Sequence, residues 1–168
     1  RVTPAPRREG LVSSASGLGL REHLAPRLEH ELERSAASDQ DLTLLLMSLE
    51  PRHAGAFGQL AQLALGTFPF RDLCYEYEAR SCAVILPDKD LAQGLKDARA
   101  FQRRLAEASW PGGQKVPAAM GLSARNGRLV DARRLLLECS KALQRAVSEG
   151  SGHIVAFQAD PDKFRRTL

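Results

Sequence analysis

The sequence lacks any long hydrophobic run and contains few aromatic residues. A membrane-spanning helix needs about 20 consecutive apolar residues, and no such run occurs among the 168 residues. Phe, Trp and Tyr make up 5% of the chain, which leaves little surface on which nucleic-acid bases could stack. We therefore expect no membrane contact by this segment.

A strong excess of one charge is also absent. The chain has 24 Lys and Arg against 20 Asp and Glu, a net charge of +4. The basic residues are spread over both termini and three predicted helices, whereas a nucleic-acid interface is usually a basic stripe on one element. Nucleic-acid binding is thus a weak alternative.

Metal and disulfide sites are not indicated by the cysteines or histidines. The three cysteines, Cys74, Cys82 and Cys139, are odd in number and lack metal-ligand spacing. The predicted hairpin does not place Cys74 opposite Cys82, so we expect buried free thiols in a reducing cytoplasm. None of the four histidines belongs to a cluster of carboxylates or cysteines with metal-ligand spacing, and we expect neither a metal nor another cofactor.

Both ends of the sequence are polar. Residues 1–16 combine Pro, Arg and Ser, which predicts a linker or partly ordered lead-in, and residues 159–168 form a polar tail. The chain begins without methionine or a signal peptide, so we expect it to be part of a longer protein. One domain is predicted over residues 17–158.

Apolar periodicity predicts four helices and five strands. The helices cover residues 18–35 and 53–65, a segment after Pro87 and a segment ending at Gly150. The strands cover residues 42–49, 68–77, 81–87, 116–123 and 153–158. A hairpin between helix-linked strands indicates an α/β (α+β) domain, with a central, mostly antiparallel five-stranded sheet flanked by helices.

Two positions in the predicted strands are unusual. The hairpin turn carries Glu-Ala-Arg-Ser, residues 78–81, where tight turns usually need Gly, Asn or Asp. Gly121 lies inside a strand, which predicts a bulge or the close approach of another backbone segment.

The motifs together resemble those of the GGDEF domain, the diguanylate cyclase family. "SGLGLREHL" is similar to the family's Thr-Gly-Leu-x-Asn-Arg motif, although Leu20 replaces the asparagine. "LTLLLMSLE" resembles the first strand, and "YEARSCAVILP" resembles Tyr-Gly-Gly-Asp-Glu-Phe with its following strand. "VPAAMGLS" and "LLLECSKALQRAVSEGSGHIVAF" resemble the family's later strands and closing helix.

The resemblance implies a palm-like fold, related to nucleotide cyclases and polymerases. It also implies an activity: active members bind GTP with two magnesium or manganese ions, and join two GTP molecules into cyclic di-GMP across a homodimer.

The residues responsible for this activity in the family are not present at the matching positions of this chain. The first-strand metal aspartate falls on Ser48, which cannot supply a charged oxygen. The Gly-Gly-Asp-Glu-Phe signature falls in order on the following residues: Glu78, Ala79, Arg80, Ser81 and Cys82. The acidic pair is thereby replaced by a cation and a hydroxyl, so the resemblance implies a degenerate, catalytically inactive member.

The nucleotide-binding positions are altered as well. The family's triphosphate-binding lysine falls on Val147, and the arginine after its glycine falls on Ser151. The inhibitory Arg-x-x-Asp motif keeps Asp72 but has Pro69 at the arginine position. The segment between the first strand and the hairpin is shorter than in the family and lacks its base-contacting Asn-Asp-x-x-Gly-His stretch.

We therefore predict a regulatory or protein-interaction module in a larger bacterial signalling protein, in the cytoplasm or in the cytoplasmic part of a membrane-anchored parent. Its partners would be other proteins, adjacent domains or a second copy. Glu76, Glu78 and Arg80 are the candidate interaction surface. A non-catalytic receptor for cyclic di-GMP or GTP is the first alternative, and a weak nucleic-acid binder the second.

Overall fold

The computed structural model describes residues 11–158, which form a five-stranded sheet flanked by four α-helices. The strands are β1 Leu42–Ser48, β2 Cys74–Glu76, β3 Ser81–Pro87, β4 Ala119–Ala124 and β5 Ile154–Ala156. Their order is β2-β3-β1-β4-β5, and only the β4–β5 pair is parallel. The predicted fold class is confirmed.

The helices form one layer on each face of the sheet. They are α1 Leu24–Ala37, α2 Phe57–Thr67, α3 Leu91–Glu107 and α4 Ala132–Glu149. Apolar residues of α1 and α4 share a core with Leu44 and Leu46, whereas α2 and α3 pack with Leu45 and Met47. Successive strand residues point to opposite faces, so β1 supplies both cores and is buried on both sides, as its continuous apolar run predicts.

Local sequence features set the positions of α3 and α4. The Asp90 carboxylate accepts from the Gln93 backbone N–H, and the Gln93 side chain accepts from the Asp90 N–H, a capping box that begins α3. Asp131 caps α4 in a similar way by accepting from the Arg134 N–H. At Gly121 a Cβ would lie 2.7 Å from Leu143 Cα, so the predicted close approach is between β4 and α4.

The predicted start of the first helix at Leu18 is wrong. The α-helix begins at Leu24, after a short 3-10 turn at Arg21–His23. Gly19 is extended against β2: its N–H donates to Cys74 O and its carbonyl accepts from the Glu76 N–H. Leu18 is fully buried in the core, so its apolar character reflects packing and not membership of the helix.

The predicted strand at 68–77 is too long, because a 3-10 turn at Arg71–Leu73 precedes β2, which covers only Cys74–Glu76. Other boundaries move by a few residues. A 3-10 segment at Pro51–Ala56 precedes α2, which therefore begins after the predicted position 53. Residues 11–16, part of the predicted lead-in, form a turn closed by hydrogen bonds such as Leu20 N to Leu11 O. The predicted polar tail at 159–168 and residues 1–10 lie outside the described residues. No helix within residues 11–158 is long and apolar enough to cross a bilayer.

Candidate functional site

A cavity of about 300 Å³ lies at the end of the central strand. Ser48 ends β1 between Ser81 of β3 and Ala119 of β4. The cavity is lined by Ser48, Leu49, Glu50, Pro51, Arg80, Ala119, Val147, Gly150 and Ser151. The structure thus brings together Ser48, Arg80, Val147 and Ser151, which the sequence analysis had assigned to metal and phosphate positions in three separate segments.

Arg80 is held in place by its backbone and its side chain. Its φ is +59°, a left-handed conformation that costs a residue with a side chain about 1–2 kcal/mol. Its carbonyl accepts from the Leu49 N–H at 3.0 Å, and its Nε donates to Leu49 O at 3.2 Å. The guanidinium is therefore fixed beside the end of β1.

Glu50 is the carboxylate that lines this cavity. Its Oε2 accepts a hydrogen bond from Ser151 Oγ, and Arg52 Nε lies 3.4 Å from Oε1. The Ser151 hydrogen bond, followed by the contact with Arg52, lowers the pKa of Glu50. The side chain consequently joins the loop after β1 to the loop after α4.

The end of α4 forms the opposite wall. Val147 is 55% exposed there, and Gly150 follows the helix with a φ of +116°. The C-terminus of a helix carries a partial negative charge. An apolar side chain beside that helix end does not favour a bound triphosphate.

The donor set does not fit the two divalent ions that the resemblance implies. The cavity offers one carboxylate, two hydroxyl groups and one guanidinium, and a hard cation prefers several charged oxygens. Within residues 11–158 no group of three or more His, Cys, Asp and Glu side chains could hold a metal. A fixed arginine at the same place opposes a divalent cation by charge.

The three residues of the predicted interaction surface have different surroundings. Glu76 is half-buried and accepts from Ser16 Oγ at 2.7 Å. Glu78 is 63% exposed and lies 3.7 Å from Arg21, while Arg80 turns toward the cavity. Of the three, Glu78 is the one most accessible to a partner.

The remaining hairpin positions do not reach the cavity. Ala79 is exposed at the turn and accepts from Ser81 Oγ at 3.2 Å. Cys82 lies in the core, and burial raises its pKa. Burial also raises the pKa of Cys74 and of Cys139, each to about 12, and all three thiols are free.

A second cavity, of about 410 Å³, lies beside Asp72. It is lined by Leu11, Val12, Gly17, Gly19, His23, Pro26, Arg27, His30, Arg71, Asp72 and Tyr75. Arg27 Nη2 lies 3.1 Å from Asp72 Oδ2 across it. Sequence reasoning assigned only Asp72 of these residues to a family binding motif, and most of the others come from positions 11–30, far from Asp72 in the sequence. Pro69 does not line it.

Comparison with known sequences gives little about this site. No family model matches the chain. An uncharacterized protein of Treponema pallidum (strain Nichols) is 37% identical over 99 residues, which is 58% of this chain and 57% of that protein. The chain thus spans just over half the length of this relative.

Comparison with solved structures gives the fold. The GGDEF domain of DgcB from Caulobacter crescentus, in complex with c-di-GMP, has a TM-score of 0.77 at 13% identity, covering 95% of this chain and 99% of that one. The GGDEF domain of TpbB (YfiN) from Pseudomonas aeruginosa has a TM-score of 0.78 at 16% identity, covering 92% and 99%.

A third structure contains a protein partner. The diguanylate cyclase SiaD from Pseudomonas aeruginosa, in complex with its activator SiaC, has a TM-score of 0.73 at 20% identity, covering 89% of this chain and 63% of that one. The chain described here therefore has the fold of the GGDEF domains of diguanylate cyclases.

Proposed function

We propose that this domain is a catalytically inactive GGDEF-fold module that regulates, or binds, other proteins within a larger signalling protein. The observation that carries the proposal is the donor set at the end of β1. Ser48 and Arg80 stand beside a single carboxylate, Glu50. Phosphoryl transfer with two metals needs carboxylates to hold the ions and cations to neutralise the phosphates.

A different conformation of Arg80 would not create a catalytic site. Its side chain would have to leave Leu49 O and turn away before a divalent ion could approach. The partner carboxylates would still be missing, because Ser48 and Ser81 offer only neutral oxygens. Relocating one side chain does not restore the site.

The role proposed in place of catalysis is binding to other proteins. The solved structure of SiaD with its activator SiaC shows that a diguanylate cyclase can carry a protein partner. Glu78 is the exposed member of the surface predicted from the sequence. The buried free thiols of Cys74, Cys82 and Cys139 are compatible with a reducing cytoplasm.

The test is turnover of GTP with magnesium or manganese, measured by chromatography against an active diguanylate cyclase. No cyclic di-GMP is expected from the wild-type domain or from the variant with Ser48→Asp, Arg80→Asp and Ser81→Glu. Because several nucleotide-binding positions differ as well, restoring the acidic residues alone should not restore binding. Turnover by the wild-type domain contradicts the proposal.

A receptor for cyclic di-GMP is the second candidate, and the cavity beside Asp72 favours it. Arg27 and Arg71 provide cations near an apolar floor that includes Tyr75. We would titrate the domain with cyclic di-GMP by calorimetry. A dissociation constant below about 10 μM, or roughly −7 kcal/mol, that is lost in Arg71→Ala and kept in Arg99→Ala would favour the receptor.

A further inference from the structure

The loop between β4 and α4 contains the only asparagine of the chain. Asn126 is followed by Gly127, and both residues are exposed. Their φ angles are +53° and +74°, and the Arg128 N–H donates to Arg125 O at 3.0 Å. A closed turn with two positive φ angles favours an Asn-Gly pair, so the geometry of the turn accounts for the presence of these two residue types.

An asparagine that precedes a glycine can react with its own backbone. The backbone nitrogen of the following residue attacks the side-chain Cγ, because the bond between these two atoms closes a five-membered ring. In most sequences the next side chain hinders this approach, but glycine has no side chain. Both reacting groups belong to one chain, so no second molecule has to be brought into position for the ring to close.

The peptide unit between Asn126 and Gly127 is open to this reaction. Among the described residues, the Gly127 N–H, the Asn126 carbonyl and the Asn126 side chain make no hydrogen bond. A Cβ added to Gly127 would meet no atom within 4 Å. The attacking nitrogen is therefore unblocked, the side-chain amide is unanchored, and water can reach both.

The residues on either side of this peptide unit are held firmly. The Asn126 N–H donates to Asp41 Oδ1 at 2.8 Å. Arg128 donates from Nε to Arg125 O at 3.0 Å and contacts both carboxylate oxygens of Glu138. The peptide unit rotates as one plane, which changes ψ of Asn126 and φ of Gly127. It can therefore move into a reactive orientation while the flanking hydrogen bonds remain.

We propose that Asn126 is a site of spontaneous deamidation. The Gly127 nitrogen forms a bond to Asn126 Cγ and loses its proton to water or hydroxide, while the Cγ–Nδ2 bond breaks and the amide leaves as ammonia. Water then opens the succinimide ring at one of its two carbonyl carbons. Opening at Cγ gives aspartate, and opening at the backbone carbonyl carbon gives isoaspartate, in which the chain continues through the side chain.

The isoaspartate product does not fit the existing turn. It lengthens the backbone between Arg125 and Arg128 by one carbon atom, and it adds a carboxylate close to that of Asp41, a like charge. We therefore expect the modification to displace Arg128 and to weaken its pairing with Glu138, which is 2% exposed. This modification is independent of the proposed function.

The first test compares the folded domain with a synthetic peptide of residues 122–130. Both would be kept at physiological temperature, and peptide mapping by mass spectrometry would detect the small mass gain as an amide becomes a carboxyl. The rate in the domain should lie within about tenfold of the rate in the peptide, which is about 1.4 kcal/mol in the barrier. It should rise from about pH 6 to about pH 8, because the attacking nitrogen must lose its proton.

The matched control for this test is Asn126→Gly. Glycine adopts the same positive φ, so the turn is retained, but no side-chain amide remains to react. This variant should gain no mass in the loop. Glutamines, for example the exposed Gln144, would have to react through a larger ring, so their slower mass gain gives the background rate.

The second test measures the effect of the modification on stability. Ion-exchange chromatography isolates the modified domain, because both products gain a negative charge, and peptide mapping gives its isoaspartate content. In urea denaturation the isoaspartate-rich domain should unfold at a lower midpoint than Asn126→Asp, which has the same charge on a normal backbone. In an Arg128→Ala background this extra loss should be much smaller, because the contact that isoaspartate disrupts is already absent.

Three results would overturn the inference. A reaction in the folded domain more than about tenfold slower than in the peptide would mean that the turn protects Asn126. A mass gain in the loop of Asn126→Gly would place the modification at another residue. Equal losses of stability with and without the Arg128 side chain would mean that the modification does not act through the pairing with Glu138.

Discussion

The two helical layers differ in how they handle charge. On the α1/α4 side, Glu31 and Glu138 are each 2% exposed and each lies between two arginines. On the α2/α3 side, the described core consists of aliphatic and aromatic contacts such as Phe68 with Phe101, and the cations of α3 remain outside. One layer is therefore held partly by buried ion pairs, and the other mainly by packing.

The difference matters because the two kinds of contact respond to different conditions. Breaking a buried ion pair leaves an uncompensated charge, and the effect depends on pH. Removing a packed ring leaves a cavity, and the resulting loss of stability does not depend on pH. Mutations in the two layers should thus be distinguishable by their pH dependence.

The largest effect is expected for Phe101→Ala, in the packed layer. Phe101 is fully buried, and removing its ring should lower the free energy of unfolding by about 3–5 kcal/mol. Urea denaturation monitored by circular dichroism measures the change. Phe101→Leu is the control and should lower the free energy of unfolding clearly less. Equal decreases for the two variants would mean that the ring is not packed as described.

A similar or slightly smaller effect is expected for Arg128→Ala, in the ion-paired layer. Arg128 contacts both oxygens of Glu138, at 2.7 and 2.8 Å. Its removal leaves Glu138 largely buried with only Arg134, which should cost about 3 kcal/mol at neutral pH. The double variant Arg128→Met/Glu138→Met should recover part of that loss, and the same denaturation assay would show it.

Lowering the pH should distinguish the contributions of the two layers to stability more clearly. The pKa of Glu138 is lowered: burial raises it, but the hydrogen bonds and charges of Arg128 and Arg134 outweigh burial. A carboxyl whose folded pKa is lowered stabilises the protein above its unfolded pKa, near 4.5, and that stability is lost as the pH falls through the folded value.

The measurement is the free energy of unfolding at several values between about pH 7 and pH 3. As the pH falls, the free energy of unfolding should decrease less steeply for Glu138→Gln than for the wild type. For Phe101→Ala it should decrease as steeply as for the wild type. If Glu138→Gln were as acid-sensitive as the wild type, the ion pairs would not contribute as described.

The smallest effect is expected for the exposed cations of α3, such as Arg103. Arg103→Ala removes an exposed side chain with no ion pair among the described residues, so stability should change by less than about 0.5 kcal/mol. Thermal unfolding would test this. A loss above about 1 kcal/mol would mean that the Arg103 side chain supports the fold itself.

The sequence predicted those parts of the fold that depend on local pattern. The apolar run of β1 indicated burial on both faces, and Gly121 indicated a close backbone approach, which α4 makes. The helix start was placed too early, at Leu18, because Leu20 precedes Leu24 and Leu28 at a spacing of four residues and so imitates a helical turn. The pairing of Gly19 with β2, which sets the real start, is a long-range contact.

The candidate site could be predicted from the sequence only in part. The family resemblance singled out Ser48, Arg80, Val147 and Ser151 one by one, and the fold places them around one cavity. The hydrogen bond from Ser151 to Glu50 joins loops about a hundred residues apart, which no local pattern reveals.

The contact of Gly19 with β2 has a consequence for assembly. β2 is an edge strand, and exposed edges offer unpaired backbone groups that recruit strands from other chains. On that edge, the Gly19 N–H donates to the Cys74 carbonyl and the Gly19 carbonyl accepts from the Glu76 N–H. The domain thus covers this edge with its own chain, so a partner cannot extend the sheet there by adding a strand without first displacing that segment.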